Sequence, residues 1–313
     1  MKRSQLVALI ALVALLIIYF AVKSARNVTV AQPKSFVKLD TTKVDGIGIR
    51  GKIDTIRLKK EGGIWRLAEP IDYPAEARFV SDLLSKLANL EIETLISEDP
   101  AKDSLFQVNQ SGTEIAVMAA GDTVANFLLG KTSDDGRHTY ARKVRENKIY
   151  LVSAVFGGQL NRKAKDWRDK VILEMAKENI TRLDFQYPKE TLSLVKQDTL
   201  WALEEGGQTL PADQRAVDRA LSAISRFRTF DYVDGDSAKI VDFSHPDFVI
   251  TVSTEGGATS RLAFVPQDKE ANRYLVRKDG VENTLFVIYK GSANTLMKKA
   301  EDFKEKVKQG TSS

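Results

Sequence analysis

Apolar side chains follow three patterns along this chain, and the first is an unbroken run near the N-terminus. Residues 6–22 read LVALIALVALLIIYFAV and contain no charged side chain. A helix of that length spans roughly 26 Å, close to the ~30 Å hydrocarbon core of a bilayer, and satisfies its own backbone polar groups in lipid. The run therefore predicts a transmembrane helix, and the polar residues 27–43 predict a tether that follows it.

The N-terminal segment, residues 1–26, can act as an uncleaved signal anchor or as a cleaved signal peptide. The apolar run exceeds the roughly 7–15 residues of a secretory signal, and its exit, AVKSAR, carries charges where a cleavage site needs small residues. A five-residue tail before the run favours an N-terminus inside the cell. We therefore expect a single-pass protein of the cytoplasmic membrane with its C-terminal part extracytoplasmic. A cytoplasmic location of that part is the remaining alternative.

The second pattern is an alternation of apolar and polar residues, which is typical of strands with one buried face. Ile56 and Leu58, then Trp65 and Leu67, alternate on either side of Glu61-Gly62-Gly63, which predicts a β-hairpin. Trp65 and its later equivalent Trp201 are expected in the core, with ligand stacking as the alternative. Further strands are predicted over residues 114–119, 126–129, 139–143, 149–152, 248–253, 261–264, 274–277 and 285–288.

The third pattern is the apolar spacing of a helix, and it occurs in both halves of the chain. The residues that share one helical face are Val80, Leu83, Leu84, Leu87 and Leu90 in the first half, and Val217, Ala220, Leu221, Ile224 and Phe227 in the second. Residues 159–171 and 294–307 combine charges of both signs with an apolar stripe, which predicts a charged amphipathic helix at the end of each half.

These patterns recur at a fixed spacing, which indicates an internal duplication. Ile64-Trp65-Arg66-Leu67 recurs as Leu200-Trp201-Ala202-Leu203, and Pro74-Ala75-Glu76 recurs as Pro211-Ala212-Asp213. Residues 160–171 match residues 296–307 with six of twelve pairs identical. We predict an α+β protein of two tandem repeats, 44–171 and 172–313, each a mainly antiparallel sheet with helices packed on one face.

Charge and composition exclude several classes of function. The formal net charge is +5, but residues 1–26 contribute +4 of it, which leaves +1 for the rest and no basic surface for nucleic acid. The sequence has no cysteine, which rules out disulfides, thiolate nucleophiles and a lipid-modified cysteine anchor.

Two motifs contain the residue types of ligand sites but not the required spacing. Gly130-Lys131-Thr132 resembles the end of a phosphate-binding loop, but Ala125 stands where that loop needs glycine and a turn follows instead of a helix. Asp231, Asp234 and Asp236 share one turn but lack the glutamate that completes a calcium loop. We predict a strand-to-loop transition at the first place and a solvated turn at the second, with no metal or cofactor site.

The acid–base and nucleophilic candidates are isolated from one another in sequence. His138 and His245 have no counterparts in the other repeat, and Ser244 beside His245 does not make a catalytic triad. The paired carboxylates at 98–99 and 204–205 point to different faces of an extended chain. No chemistry-bearing residue recurs in both repeats with a matching partner, so we predict no catalytic residue and no enzymatic activity.

Short motifs of the first repeat are similar to those of a bacterial family called domain of unknown function 4340. They are Ile64-Trp65-Arg66-Leu67, Pro74-Ala75-Glu76, Leu129-Gly130, Tyr140-Ala141-Arg142 and Trp167-Arg168-Asp169-Lys170. In the second repeat Pro266 stands near the place of Gly130, and Val276 or Arg277 stands for Arg142. The resemblance implies no activity, but it implies association with ABC-type transporters of the gliding-motility kind and their extracytoplasmic auxiliary subunit.

The expected function is that of a non-enzymatic, membrane-anchored accessory or scaffold protein of an ABC-type envelope transport system. The expected partners are a transporter permease or an auxiliary subunit. One alternative is a periplasmic glycan- or peptide-binding module that uses Tyr187, Tyr232 or Tyr289. A less favoured alternative is an envelope hydrolase, which needs a carboxylate or Ser–His constellation in one cleft.

Overall fold

The computed structural model describes residues 15–17, 19, 34–267 and 272–305. The chain forms two compact units, of which the first ends at Trp167 and the second begins at Arg168. The predicted boundary between the repeats lay slightly later, after residue 171.

Most of the predicted membrane segment, residues 6–22, lies outside the described residues, as does the first part of the tether, residues 27–33. Leu15, Leu16, Ile17 and Tyr19 are described, and they are helical with exposed side chains. Among the residues that the structure describes, no helix is both long enough and apolar enough to cross a membrane.

The first unit is built on one antiparallel sheet. The strands within its described residues are Lys34–Ser35 (β1), Val44–Arg50 (β2), Thr55–Glu61 (β3), Ile64–Glu69 (β4), Tyr73–Pro74 (β5), Glu91–Ser97 (β6), Thr113–Ala119 (β7), Asp122–Thr132 (β8), Thr139–Lys143 (β9) and Ile149–Val152 (β10). Their spatial order is β1-β6-β10-β9-β8-β7-β2-β3-β4-β5. The hairpin predicted around Gly62-Gly63 joins β3 to β4, and both glycines have positive φ.

One long helix packs on this sheet. Helix α1, Ala77–Ala88, buries the apolar face that the sequence predicted, with Val80, Leu83, Leu84 and Leu87 in the same core as Trp65. A smaller cluster of Val108, Leu128 and Ile149 lies on the other face, because Leu128 and Leu129 alternate along β8 and only Leu129 is in the main core. The short helix α2, Asp103–Phe106, packs there through Phe106, so the helical elements do not all share one face.

The second unit is also built mainly on one antiparallel sheet. Its strands within the described residues are Val171–Glu174 (β11), Ile180–Gln186 (β12), Thr191–Gln197 (β13), Leu200–Glu205 (β14), Gln208–Pro211 (β15), Arg226–Arg228 (β16), Asp231–Asp234 (β17), Phe248–Thr254 (β18), Thr259–Pro266 (β19), Arg273–Lys278 (β20) and Thr284–Tyr289 (β21). The main sheet has the order β17-β21-β20-β19-β18-β12-β13-β14-β15, and β11 pairs with β16 separately. Nine strands of the first sheet follow the same order, β6-β10-β9-β8-β7-β2-β3-β4-β5.

Helix α4, Gln214–Ile224, is the counterpart of α1 and buries Val217, Ala220, Leu221 and Ile224 as predicted. Helix α3, Gly157–Leu160, ends the first unit together with a 3-10 turn at Ala164–Trp167. In the second unit α5 is Asp236–Lys239 and α6 is Lys290–Leu296, followed by a 3-10 turn at Ala300–Asp302.

The prediction of a continuous charged helix over residues 159–171, and of another over residues 294–307, is therefore wrong. In the first unit the backbone N–H of Ala164 donates to the Asp54 carboxylate at 2.7 Å. A continuous α-helix would instead direct that N–H to the carbonyl of Leu160. The apolar stripe is nevertheless buried, through Leu160, Ala164, Trp167, Leu296, Ala300 and Phe303.

In each unit two backbone N–H groups of the Pro-Ala-acid motif donate to backbone carbonyls. The alanine donates to the strand tryptophan, and the acidic residue donates to an aromatic residue at the end of the unit. The donors and acceptors, with their nitrogen–oxygen distances, are Ala75 to Trp65 (2.9 Å), Ala212 to Trp201 (3.3 Å), Glu76 to Trp167 (2.8 Å) and Asp213 to Phe303 (2.7 Å). The acid of the motif precedes the helix: Asp213 caps α4 through its carboxylate, whereas Glu76 makes no side-chain cap.

Candidate functional site

The segment that joins β6 to β7, residues 98–112, crosses the sheet of the first unit, and we call it the crossover. It passes so close to the ends of β7 and β8 that Gly130 of β8 and Gly112, the last residue of the crossover, must both be glycine. A Cβ atom on Gly130 would lie 2.1 Å from the carbonyl oxygen of Phe106, and one on Gly112 would lie 2.2 Å from that of Gln107. The Leu129-Gly130 motif therefore has a structural cause, the approach of two backbones.

Arg142 on β9 holds the crossover from the sheet side. Its Nε donates to the carbonyl of Val108 at 3.1 Å, and its Nη1 donates to the carbonyl of Glu146 at 3.0 Å. The guanidinium also pairs with the carboxylate of Asp103 at 3.3 Å. Arg142 and Gly130 thus act on the same segment, one by attraction and the other by its small size.

The second unit uses Arg277 on β20 in the same way. Its Nη2 donates to the carbonyl of Val241 at 3.4 Å, and its guanidinium lies 4.1 Å from the centre of the Phe243 ring. Of the two residues that the sequence offered as the counterpart of Arg142, Arg277 makes the matching contact.

A β-bulge at Gly130-Lys131 interrupts the pairing of β8 with β9. Leu129 pairs with Ala141 and Thr132 pairs with Thr139, so β8 uses one residue more than β9 between these pairs. A cavity of about 200 Å³ opens beside the bulge. Its side-chain donors and acceptors come from Lys52, Gln107, Ser111, Thr113, Lys131, Thr132, Thr139 and Asn161.

The sequence model of a family described as Domain of unknown function (DUF4340) matches residues 65–246 of this chain. The chain belongs to this family. No curated protein and no solved structure matches it. The matched span contains the crossover, Gly130 and Arg142, and every residue that lines the cavity except Lys52.

The cavity of this DUF4340 protein has two lysines and no acidic residue in its wall. The Nζ of Lys52 donates to the side-chain oxygen of Gln107 at 3.4 Å. The Nζ of Lys131 lies 5.9 Å from the ring centres of Phe106 and Tyr140. Within the described part of the chain, neither lysine makes an ion pair with a carboxylate.

Larger side chains stand at the equivalent strand positions of the second unit. Tyr187 follows β12 where Gly51 follows β2, and each residue donates its backbone N–H three residues ahead, at 2.8 Å and 3.1 Å. Asp247 precedes β18 where Gly112 precedes β7, and Tyr274 lies three residues before Arg277 as Thr139 lies before Arg142.

These side chains of the second unit bond to one another and to the backbone. Tyr187 stacks on Phe248 and donates its hydroxyl to the carbonyl of Lys298 at 2.5 Å. Tyr274 donates its hydroxyl to Asp247 at 2.8 Å. Burial, with the carboxylate of Asp247 as the second cause, raises the pKa of Tyr274 to about 12. Burial also raises the pKa of Tyr187 above its ordinary value.

The histidine candidates lie in turns. In one turn Asp135 accepts the hydroxyl of Ser133 and lies 2.6 Å from Nδ1 of His138. The Ser133 hydroxyl is the largest cause that holds the pKa of Asp135 well below its usual range. Ser133 therefore donates to the carboxylate and not to the histidine ring, which is not the arrangement of a nucleophile and its base.

His245 is exposed, and its Nδ1 lies 2.9 Å from the hydroxyl of Ser244. That hydroxyl donates its proton to Asp242 at 2.9 Å, so toward the ring it can only accept. Hydrogen bonds from Ser244, first from its backbone N–H, hold the pKa of Asp242 below its usual value. The group is a capped turn.

The paired carboxylates at 98–99 and 204–205 are separated into different contacts. These are Glu98 with Lys148 (3.2 Å), Asp99 with the backbone N–H of Ala101 (3.0 Å), Glu204 with Arg182 (3.1 Å) and Glu205 with Lys304 (3.0 Å). Each carboxylate therefore has its own partner.

The aspartate turn around Gly235 contains an ion pair that the sequence analysis did not predict. Both carboxylate oxygens of Asp234 accept from Nη1 of Arg168, at 3.0 and 2.8 Å, and one also accepts the hydroxyl of Thr284 at 2.8 Å. Arg168 is fully buried, with its guanidinium carbon 3.7 Å from the centre of the Tyr232 ring. Among the described residues, no group of three His, Asp or Glu side chains is placed to hold a metal ion.

The aromatic candidates are mostly packed. Trp65 and Trp201 are buried, as predicted for core residues. Tyr232 is also buried, and its hydroxyl donates to the carbonyl of Asp169 at 2.6 Å. Tyr289 is 54% exposed and stacks on Phe230 with ring centres 4.0 Å apart.

Proposed function

We propose that this DUF4340 protein is a non-enzymatic accessory or scaffold subunit of an ABC-type envelope transport system. In this proposal residues 6–22 anchor it in the bacterial cytoplasmic membrane and the two units lie in the periplasm. The observation that carries the proposal is the architecture, in which an apolar run precedes two sheet units of the same strand order. Rigid sheets held at a membrane by one helix suit a protein that positions partners there.

The proposal treats the two units as tandem copies of one domain. The shared strand order supports this, because two unrelated domains would rarely have nine strands in the same order. The motif residues also make equivalent contacts, from the Pro-Ala-acid hydrogen bonds to the arginines that hold the segments at Val108 and Val241. Two copies can offer a partner two similar surfaces.

The absence of enzymatic activity is proposed from what the reactive side chains contact. The serine hydroxyls next to both histidines donate to carboxylates, and the adjacent carboxylates are bound to separate partners. Groups engaged in this way are poorly placed to move a proton to or from a substrate.

Association with an ABC transporter is proposed from the family context. The DUF4340 resemblance implies that relatives occur with transporters of the gliding-motility kind, which is an association and not a physical argument. The near-neutral charge of residues 27–313 agrees with a protein partner better than with nucleic acid.

Co-purification from the native membrane tests the proposal. The full-length chain is cross-linked lightly in cells, extracted in mild detergent and purified, and the bound proteins are identified by mass spectrometry. We expect a transporter permease or its auxiliary subunit. A control chain in which an unrelated membrane helix replaces residues 6–22 should retain partners that bind the two units. An eluate with no transporter subunit from either chain would contradict the proposal.

The glycan- or peptide-binding alternative loses two of its three aromatic candidates, since Tyr232 is buried and Tyr187 is packed against Phe248. A different observation favours a binding role, namely the polar cavity beside Lys131.

A further inference from the structure

We propose that the cavity beside Gly130 and Lys131 binds a phosphate group, as inorganic phosphate or as the phosphate monoester of a small polyol. The inference concerns the first unit alone and does not depend on the membrane anchor or on the transporter. It can therefore fail or succeed separately from the proposed function.

The charge of the wall is the first step. Lys52 and Lys131 line the cavity, and no acidic residue does. Elsewhere on this chain lysines commonly neutralise carboxylates, as Lys148 does with Glu98 and Lys304 with Glu205. Two lysines in the wall of an acid-free cavity attract an anion.

The other polar groups of the wall are the second step. Thr113, Thr132 and Asn161 bring hydroxyl and amide groups that can donate to phosphate oxygens. Lysine binds phosphate as a point charge, whereas the flat fork of arginine binds phosphate and carboxylate in a bidentate way. The nearby arginine, Arg142, is bound to the crossover.

The size of the cavity is the third step. Pockets that enclose drug-sized ligands measure roughly 300–1,000 Å³. A cavity of about 200 Å³ is smaller than that, so it suits one compact group with some ordered water.

The backbone of β8 is the fourth step. Bulges re-aim side chains and are over-represented beside functional sites. The bulge at Gly130-Lys131 lies at the cavity wall. In the second unit the equivalent stretch of β19 pairs regularly, with Val265 opposite Leu275 and Pro266 opposite Tyr274.

The comparison of the two units is the fifth step. Tyr187, Asp247 and Tyr274 stand in the second unit where the first has Gly51, Gly112 and Thr139. The same strand order is therefore compatible with larger side chains at these positions. The first unit keeps it open and lines it with cations, which indicates a ligand site and not an unavoidable gap in packing.

Calorimetric titration of the full-length chain tests the inference. The protein is purified in a maltoside detergent, which contains no phosphate, and titrated with inorganic phosphate, glycerol 3-phosphate and glycerol. We expect both phosphates to bind, glycerol not to bind, and the affinity to fall as sodium chloride is added. Tighter binding of glycerol 3-phosphate would identify a monoester as the ligand, and equal binding would identify the free anion.

Variants connect the binding to the cavity. Lys52→Gln and Lys131→Gln should each weaken phosphate binding by about tenfold or more. Lys60→Gln, at an exposed lysine of β3, should leave it unchanged. Gly51→Tyr introduces into the first unit the residue type that the second unit has at Tyr187. A Cβ atom at position 51 has ordinary contacts, 3.7 Å from the Leu160 carbonyl oxygen and 3.9 Å from the Thr113 hydroxyl. We expect this substitution to abolish binding while the protein stays folded.

Three results would overturn the inference. They are an absence of phosphate binding by the parent chain, an equal affinity in Lys52→Gln, Lys131→Gln and the parent, and binding of glycerol as tight as that of glycerol 3-phosphate. Circular dichroism of each variant shows that a lost affinity does not reflect unfolding.

Discussion

At the scale of single residues, the DUF4340 motifs mark places where two backbones or two charges must meet. Gly130 leaves room for the Phe106 carbonyl, and the buried Arg168 neutralises Asp234 while its guanidinium covers Tyr232. An uncompensated buried charge costs several kcal/mol, so the partner of Arg168 is as necessary as the arginine itself.

Gly130→Ala should destabilise the first unit by about 3 kcal/mol, because its Cβ atom would overlap a carbonyl oxygen that belongs to rigid backbone. Gly158→Ala in α3 is the matched control. No atom lies within 4 Å of its added Cβ, so this change should be neutral or stabilise by up to about 1 kcal/mol. Thermal unfolding of both variants measures the difference, and equal melting temperatures would contradict the close approach.

Tyr274→Phe should destabilise the second unit at pH 8 by about 1 kcal/mol, since the hydrogen bond to Asp247 is lost. A tyrosine in the unfolded chain ionises near pH 10, whereas Tyr274 keeps its proton up to about pH 12 in the folded protein. Unfolding between these values releases a proton, so the stability that neutral Tyr274 provides falls as the pH rises.

The loss of unfolding free energy caused by Tyr274→Phe should therefore become smaller between pH 10 and pH 12. Denaturation of the parent and the variant across this range measures it, with the exposed Tyr289→Phe as a control. A penalty that stays constant from pH 8 to pH 12 would show that Tyr274 titrates normally.

At the scale of elements, local patterns predicted the structure where burial on one face dominates. The β3–β4 hairpin and the buried faces of α1 and α4 follow from spacing alone. β2 was missed because Gly46 and Gly48 interrupt its alternation, and β6 was missed because its residues are half-buried or exposed on both faces. The charged helices were over-extended because the Asp54 carboxylate that accepts from Ala164 is distant in sequence.

The crossover and its cavity were beyond prediction for the same reason. Gly130-Lys131-Thr132 is visible as a motif in the sequence. Its role depends on the approach of the Phe106 carbonyl to Gly130 and on the cavity that Lys131 lines together with Lys52, and no local pattern connects those residues to the motif. Arg168 likewise contacts Asp234 and Thr284, at separations of 66 and 116 residues. The available signals were the family motif Trp167-Arg168-Asp169-Lys170 and its recurrence near residue 303, where Lys304 stands in place of the arginine.

Arg142→Ala should loosen the crossover without unfolding the sheet, since it removes hydrogen bonds to Val108 and Glu146 and the ion pair with Asp103. We expect amide hydrogen exchange across residues 103–108 to accelerate by about tenfold to a hundredfold, with exchange in β3 and β4 unchanged. Arg137→Ala, at an exposed arginine of the preceding turn, serves as the control. Unchanged exchange in the Arg142→Ala crossover would show that the glycines alone hold it.

At the scale of the whole molecule, the chain combines an apolar N-terminal run with two sheet units. The composition makes its topology accessible to experiment, because the sequence contains no cysteine. A single introduced thiol therefore reports one position without background from other sites.

The most direct measurement is the labelling of Ile240→Cys and Ser4→Cys by a membrane-impermeant maleimide in intact spheroplasts and after lysis. Ile240 is 84% exposed in the second unit, and Ser4 precedes the apolar run. We predict that Ile240→Cys is labelled in intact spheroplasts, whereas Ser4→Cys is labelled only after lysis. Protection of Ile240→Cys until lysis would place the units in the cytoplasm and contradict an anchored, extracytoplasmic accessory protein.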